Sequence, residues 1–444
     1  MARKSKPASS GKIKAKVSPS KPRVWRVALA GFGTVGRSVA RILVERTDAL
    51  VRLTCICNRN VARKKVDWLP PDVVWTDNIE DVLSSDADIV VEVIGGLKPT
   101  KDWVRRVLTS GKSVVTANKQ LIAHAGPELI ALARQMNQQI EFGASVAGGV
   151  PIISGLHQGL AGDELFKICG ILNGTCNYIL TQIESNGVPF PAALREAQKL
   201  GFAEADPTED IDGLDARAKL AILIRAGLHC NVAPDNIVAR SISPIEAIDF
   251  EYANQLGCTI RQIARAELIG ETLFASVQPS LVQLSSPLAR VQGSQNLVMA
   301  TGTYGGETVF GGHGAGGHPT AVAVVSDILA IALAKQSGNE QASAVAENRQ
   351  PSEKSPALTA DFSTRHYLRF MVKDRPGIIA SLAAILAKSG INIDAVLQKP
   401  GCSKSHLPFL ITLDECKASL VDQALKQIDA LEFMVQPCLH MPIL

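Results

Sequence analysis

Paired cysteines, long apolar runs and a dominant charge are all missing from this 444-residue chain. Its nine cysteines are odd in number and scattered, with no C-x-x-C pair and no Cys/His cluster at metal-ligand spacing. That excludes a disulfide framework and points to reduced thiols in the cytoplasm. No uninterrupted apolar run approaches the ~18 residues of a membrane span, and even LAILIRAGL is broken by Arg225, so no transmembrane segment is expected. The formal net charge of +4 sits at one end, because residues 1–23 hold eight Lys or Arg and no acid, leaving 38 of the 46 basic residues against all 42 acidic ones. A basic face for nucleic acid is therefore not expected. The leader also lacks the apolar core and cleavage site of a secretory signal, and reads as a disordered, solvated basic tail.

What is present fits a folded protein of more than one domain. Hydrophobic residues make up 46% and charged residues 20%, and at ~100 to 200 residues per domain the length suggests two or three units. From residue 24 short β-branched runs alternate with amphipathic ones: WRVALA, RSVARILVER, VRLTCICN, ADIVVEVIGG, KSVVTANK. This alternation predicts a Rossmann-type, doubly wound α/β domain over 24–150. Longer helical patterns and strand-like stretches then predict an α+β domain over 151–311. The apolar helix in 312–336 is expected to return to the first domain. Residues 337–364 are polar and aperiodic, as a linker would be. Residues 365–444 read strand, helix, strand, strand, helix and a last strand EFMVQPCL, a ferredoxin-like βαββαβ module.

Three motifs carry chemistry. Gly31-Phe32-Gly33-Thr34-Val35-Gly36 stands between a strand and a helix, the context in which G-x-G-x-x-G cradles a dinucleotide pyrophosphate at a helix N-terminus. The next strand ends in Asn58-Arg59-Asn60 rather than an acid, with Arg63, Lys64 and Lys65 behind it, a setting suited to the 2′-phosphate of NADP. Thr116-Ala117-Asn118-Lys119 closes a predicted strand at the edge where such sheets bind ligands. Finally, Glu204, Asp206, Glu209, Asp210, Asp212 and Asp215 crowd one segment, and Lys219 follows Asp215 by one helical turn. Carboxylates beside a lysine suit an amino-acid substrate, since they accept from an ammonium while the lysine donates a proton.

Taken in order, GFGTVG, TANK, ASVAGGVPII, LNGTCNYIL, LGFAEADPTEDIDGLDARAKL and GHGAGGHPTAVAVVSD resemble homoserine dehydrogenases over residues 24 to about 335. KDRPGIIASLAAILAKSGINIDAVLQK resembles the ACT domain that many members carry. The resemblance implies interconversion of L-aspartate 4-semialdehyde and L-homoserine with NADP, NAD being the other possible dinucleotide, on the route to threonine, methionine and isoleucine. It implies Lys219 as proton donor, assisted by Lys119, and a substrate pocket of Glu204, Asp215, Asp210, Asn173, Gly174 and Thr175. Gly312 and Gly314 would close over the dinucleotide. A structural sodium ion would take backbone oxygens of Gly143, Val146, Gly148 and Val150. In the ACT domain, Asp374, Arg375, Pro376, Gly377 and Asn392 would bind an amino-acid effector such as L-threonine, in a homodimer or homotetramer. Three positions depart from the family pattern: Gly143 where Glu is usual, Phe202 where Tyr is usual, and His313 in a turn often filled by Pro or Arg.

Two other readings remain at this stage. Another NAD(P)-dependent amino-acid or semialdehyde dehydrogenase, such as aspartate-semialdehyde dehydrogenase, would need a nucleophilic cysteine, for which Cys176 in LNGTCNYIL stands in the only suggestive motif. A non-catalytic sensor would bind dinucleotide and amino acid without turnover.

Overall fold

The computed structural model describes residues 23–46, 50–337 and 356–444. The expected basic tail, apart from its last residue, and most of the expected linker lie outside the described residues.

Six parallel strands build the first domain: β1 (Trp25–Ala30), β2 (Val51–Cys57), β3 (Val74–Thr76), β4 (Ile89–Glu92), β5 (Ser113–Thr116) and β6 (Ile140–Glu141). Their order is β3-β2-β1-β4-β5-β6, so the direction of winding reverses between β1 and β4. A crevice opens at such a switch point, at the carboxyl ends of the strands. Helices α1 (Thr34–Glu45), α2 (Val61–Lys64), α3 (Ile79–Ser84), α4 (Thr100–Thr109) and α5 (Lys119–Gln135) connect them. Covered on both faces, β4 and β5 are buried at every position, which is why they read as continuous rather than alternating apolar runs.

The second domain holds α6 (Ile152–Ser154), β7 (Leu165–Ile171), α7 (Gly174–Asn186), α8 (Phe190–Lys199), α9 (Thr208–Ile211), α10 (Leu214–Leu228), β8 (Val238–Ala239) and α11 (Ala247–Gln255). It continues through β9 (Cys258–Ile269), β10 (Thr272–Gln283), β11 (Gln295–Gly302) and β12 (Gly306–His313). α12 (Gly317–Gln336) then returns to the first domain and packs on α1, burying Ala321, Val324, Val325 and Ile328. Among the described residues it alone has the length and apolarity to cross a membrane. Ser326 and Asp327 divide it, so no uninterrupted apolar run marks it in the sequence. Its buried face accounts for its composition.

The C-terminal module comprises β13 (Ala357–Thr359), β14 (Ser363–Val372), α13 (Ile378–Lys388), β15 (Ile393–Gln398), β16 (Leu407–Lys417), α14 (Ala418–Ile428) and β17 (Leu439–Ile443). The structure corrects the sequence reading in two places. The stretch 357–364, expected as linker, forms β13 against β10 and the start of β14. The last strand is LHMPI rather than EFMVQPCL, which contributes only an isolated bridge from Met434 to Val372. Burial of Leu439 and Met441 against the second domain selects the later register. β17 pairs with both β14 and β10, so one eleven-stranded sheet runs through both units. A buried ionic clasp seals this joint: Arg369 donates to Asp249 at 2.7 Å, to Pro244 O at 2.8 Å and to Glu246 at 3.1 Å, while Tyr367 donates to Asp249 at 2.7 Å. A guanidinium so enclosed is tolerable only when paired and fully hydrogen-bonded.

Candidate active site

The glycine turn after β1 is shaped by steric necessity. Gly31 has φ +106, and a Cβ there would lie 2.7 Å from Val93 O. A Cβ on Gly36 would lie 2.0 Å from Gly31 O, so only glycine lets α1 start this close to the strand. Gly33 is different, with nothing within 4 Å of where its Cβ would be. Its backbone faces open space, as an approach path for a pyrophosphate must. Thr34 and Val35 begin α1, whereas the Phe32 ring turns inward against Trp68 and Trp75, leaving its backbone N–H, bonded to Asn58 Oδ1 at 2.9 Å. These residues fit a dinucleotide. Arg59, Arg63, Lys64 and Lys65 are exposed beyond β2.

Gly312 and Gly314, expected over the dinucleotide, border the Gly148–Val150 loop: a Cβ on Gly148 would lie 2.9 Å from Gly314 O, and Gly149 N–H donates to His313 O at 3.0 Å. It is Gly317 that meets the fingerprint helix, close to Thr34 and Ser38.

Two lysines from different domains converge on one acid. Lys119 opens α5, whose N-cap is Asn118, and its Nζ pairs with Asp215 across the cleft. Lys219, one turn along α10, places its Nζ 2.8 Å from the other Asp215 oxygen and 2.8 Å from Leu172 O. Asn173 Nδ2 reaches both Asp210, at 2.6 Å, and Asp215, at 2.8 Å, and its Oδ1 caps α7 by accepting from Cys176 N–H. Burial opposes ionisation of Asp215, yet the ammonium groups of Lys219 and then Lys119 outweigh it and hold this carboxyl well below the usual carboxylate range. Burial likewise favours a neutral Lys119 amine, but Asp215 overcomes it and lifts that pKa above the ordinary lysine value. Asp210 is displaced the other way, upward, mainly by burial.

The remaining expected substrate residues are gathered less completely. Thr175 donates to Phe202 O at 2.7 Å, and Gly174 packs against Ser294 O, where a Cβ would lie 2.7 Å away. Glu204 is exposed on the turn before α9, with its carbonyl held by Gln198. Cys176 is fully buried, donates to Asp210 O at 3.0 Å, and has its thiol pKa pushed well up by burial and then by Asp210 and Asp215. That is the reverse of what a nucleophilic thiolate needs.

In the Gly143–Val150 loop, expected to hold a sodium ion, Gly143 N–H donates to Asp327 at 2.9 Å, and a Cβ at Gly143 would lie 2.9 Å from the same carboxylate. Glycine here gives room to an acid from α12. Ala147 turns the loop with φ 49, Val150 N–H closes onto Ala147 O, and Val150 O accepts from Ile152 N–H. The neighbouring Val146 and Gly148 bring further backbone carbonyls, hard oxygen donors of the type an alkali cation takes.

In the C-terminal module Asp374, Arg375 and Gly377 line a cavity of about 300 Å³ with Ile378, Ile379 and Gln398. Pro376 precedes Gly377 in the same turn. Asn392, expected in this set, sits before the start of β15, at the opposite end of that strand from Gln398.

One acid escaped sequence reasoning. Glu92, with no exposed surface, ends β4 and accepts from Ile94 N–H at 2.8 Å, Gly95 N–H at 2.9 Å and Thr116 Oγ1 at 2.6 Å. The available signal was a lone carboxylate closing the apolar run IVVE before Gly95-Gly96.

Adding hydride to a carbonyl requires a dinucleotide cradle and a proton source facing one cleft, and this fold brings both to the same sheet edge. The class so defined is an NAD(P)-dependent oxidoreductase with an appended α/β module. Family models match in the same sense: homoserine dehydrogenase NAD binding domain over 31–143, homoserine dehydrogenase over 151–329 and ACT domain over 366–433. The homoserine dehydrogenase of Bacillus subtilis is 39% identical over 382 residues, covering 84% of this chain and 88% of the relative. A homoserine dehydrogenase structure from Thiobacillus denitrificans superimposes with a TM-score of 0.87 at 32% identity, over 95% of this chain and 98% of that one. A hyperthermophilic archaeal homoserine dehydrogenase mutant in complex with NADPH superimposes at 0.61 and 27% identity, over 70% and 98%. This chain belongs to the homoserine dehydrogenase family.

Proposed function

We propose that the protein interconverts L-aspartate 4-semialdehyde and L-homoserine, with NADPH as the preferred reductant, as a cytoplasmic enzyme of threonine, methionine and isoleucine biosynthesis. The carrying observation is the Lys119–Asp215–Lys219 bridge across the cleft. A dinucleotide held at the Gly31–Gly36 turn would supply the hydride in reduction and take it back in oxidation. As the carbonyl oxygen gains negative charge, the cationic Lys219 polarises it and delivers the proton, and Lys119 adds a second positive centre. Asp215 holds both amines in place, and Leu172 O fixes the direction of Lys219. Asp210, Glu204 and the Asn173-Gly174-Thr175 backbone bind the amino-acid end of the substrate. In the oxidation direction Lys219 accepts the alcohol proton.

The absence of an acid after β2 and the exposed Arg59 and Lys64 support a 2′-phosphate, hence NADPH over NADH. Sodium would be held by the carbonyls of Gly143, Val146, Gly148 and Val150; the Asp327 carboxyl against Gly143 supports a cation there. The Asp374–Gly377 turn and its cavity would take L-threonine as effector. β12, an outer strand of the large sheet with Val309 exposed, supports assembly as a homodimer or homotetramer.

The test is a spectrophotometric assay of the purified full chain with L-aspartate 4-semialdehyde and either dinucleotide. Faster oxidation of NADPH than of NADH, with homoserine as product, is expected. Dinucleotide binding without oxidation would support the sensor reading instead.

A further inference from the structure

The sheet edge contains a fully buried carboxylate whose hydrogen bonds run in two directions. Glu92 accepts on one oxygen from Ile94 and Gly95 N–H, and on the other from the Thr116 hydroxyl. The first pair shapes the loop after β4, which borders the fingerprint, since Val93 and Ile94 are the atoms a Gly31 Cβ would strike. The second bond leads to Lys119. Thr116 Oγ1 also accepts from Asn118 N–H at 3.0 Å, Asn118 Nδ2 donates to Gly96 O at 2.6 Å, and Asn118 Oδ1 accepts from Leu121 N–H to cap α5, whose first residue is Lys119. Thr116 and Asn118 are both buried, so each bond is sheltered from exchange with water, and a lost partner leaves an orphaned donor.

We propose that Glu92 is a positioning residue that fixes Lys119 relative to the dinucleotide cradle, by tying the loop after β4 and the N-terminus of α5 to a single carboxylate. With no exposed surface, its carboxylate bonds, among the described residues, only to the loop amides and the Thr116 hydroxyl. Its effect passes through Thr116 and Asn118, so the loop after β4, which packs on the glycine turn, and the strand end leading to the lysine move as one body. A glutamine oxygen could still accept from both loop amides, but its Nε2 cannot accept from Thr116, so the hydroxyl proton would lose its buried acceptor. A small displacement of Lys119 would strand its ammonium away from Asp215 and from the reacting oxygen, where positioning matters most.

The inference rests on the proposed reaction, and its test separates the two. Wild type, Glu92→Gln, Thr116→Val, Thr116→Ser and the double variant Glu92→Gln/Thr116→Val are compared as full chains. Semialdehyde reduction gives kcat, fluorescence titration gives the NADPH dissociation constant, and thermal melting monitors folding. Glu92→Gln and Thr116→Val are each expected to lower kcat by about tenfold or more, with NADPH affinity changed less than about threefold. The double variant should be no worse than the poorer single, because both changes break the same bond. Thr116→Ser, which keeps the hydroxyl, should restore most of kcat, a rescue that generic destabilisation would not give. Multiplicative losses in the double variant, or wild-type kcat in Thr116→Val, would overturn the proposal. Should Glu92→Gln not fold, the Thr116 pair decides alone. No turnover by wild type would instead remove the reaction assignment.

Discussion

Lys119, the first residue of α5, forms an ion pair with Asp215, 96 positions further along the chain. This pair joins the dinucleotide domain to the substrate domain at the cleft and leaves the second Asp215 oxygen for Lys219. The same carboxylate therefore sets the approach of both amines.

Gly33→Ala isolates the dinucleotide cradle. Open space around the position means that thermal stability should stay within a few tenths of a kcal/mol of wild type, while the added methyl obstructs the pyrophosphate and weakens NADPH binding by about tenfold or more. A calorimetric titration beside a melting curve checks both halves. Unchanged affinity would mean that the phosphate does not approach this turn.

Arg59→Asp tests the 2′-phosphate pocket. It places an acid where NADP carries charge, so KM for NADPH should rise far more than KM for NADH. Equal changes would show that Arg59 does not read the phosphate.

Acid stability reports on buried histidines. Burial pushes His157 and His366 down to about 4, so both are neutral when folded, while the unfolded chain binds their protons below about 6.5. The unfolded state then holds more protons, and stability falls as pH drops from about 6.5 towards about 4, by roughly 1.4 kcal/mol per pH unit per histidine. His366 Nε2 bonds to Cys416 O at 3.0 Å, and His366→Gln keeps a donor there. Urea midpoints between pH 7 and 5 should fall less steeply for this variant than for wild type; parallel slopes would refute the assignment.

Arg375 decides the effector turn. Its guanidinium lies 4.9 Å from the Phe433 ring and borders the cavity beside α13, in a module that supplies none of the groups assigned to hydride transfer. Threonine titrated into the full chain should release heat and slow turnover, and Arg375→Ala should lose both responses at unchanged basal kcat. Absence of heat up to millimolar threonine in wild type would leave the module a structural unit.

Local chemistry was legible in the sequence, and long-range geometry was not. The spacing of Asp215 and Lys219 reads directly as one helical turn, and GFGTVG between strand and helix reads as a cradle, because both depend on neighbours in the chain. The partnership of Lys119 with Asp215 depends on how two domains close, and no local pattern encodes it. Asn392 and Asp374 go together only by resemblance, because Asn392 precedes β15 while Gln398, at the far end of that strand, is the residue lining the cavity with Asp374. The last strand was misplaced because EFMV and LHMPI have similar apolar character, and only the shared edge with β14 and β10 selects between them. Gly143 looked like a lost side chain, whereas the glycine makes room for Asp327, 184 positions further along the sequence on α12. Glu92 went unnoticed because an acid ending a buried strand has meaning only once its three donors are in place.

The most direct measurement is the turnover of Lys219→Ala with L-aspartate 4-semialdehyde and NADPH, beside a titration of NADPH binding to the same protein. Loss of the proton donor predicts a kcat lower by ~10² or more with NADPH affinity essentially retained. Wild-type turnover in that variant would contradict the account.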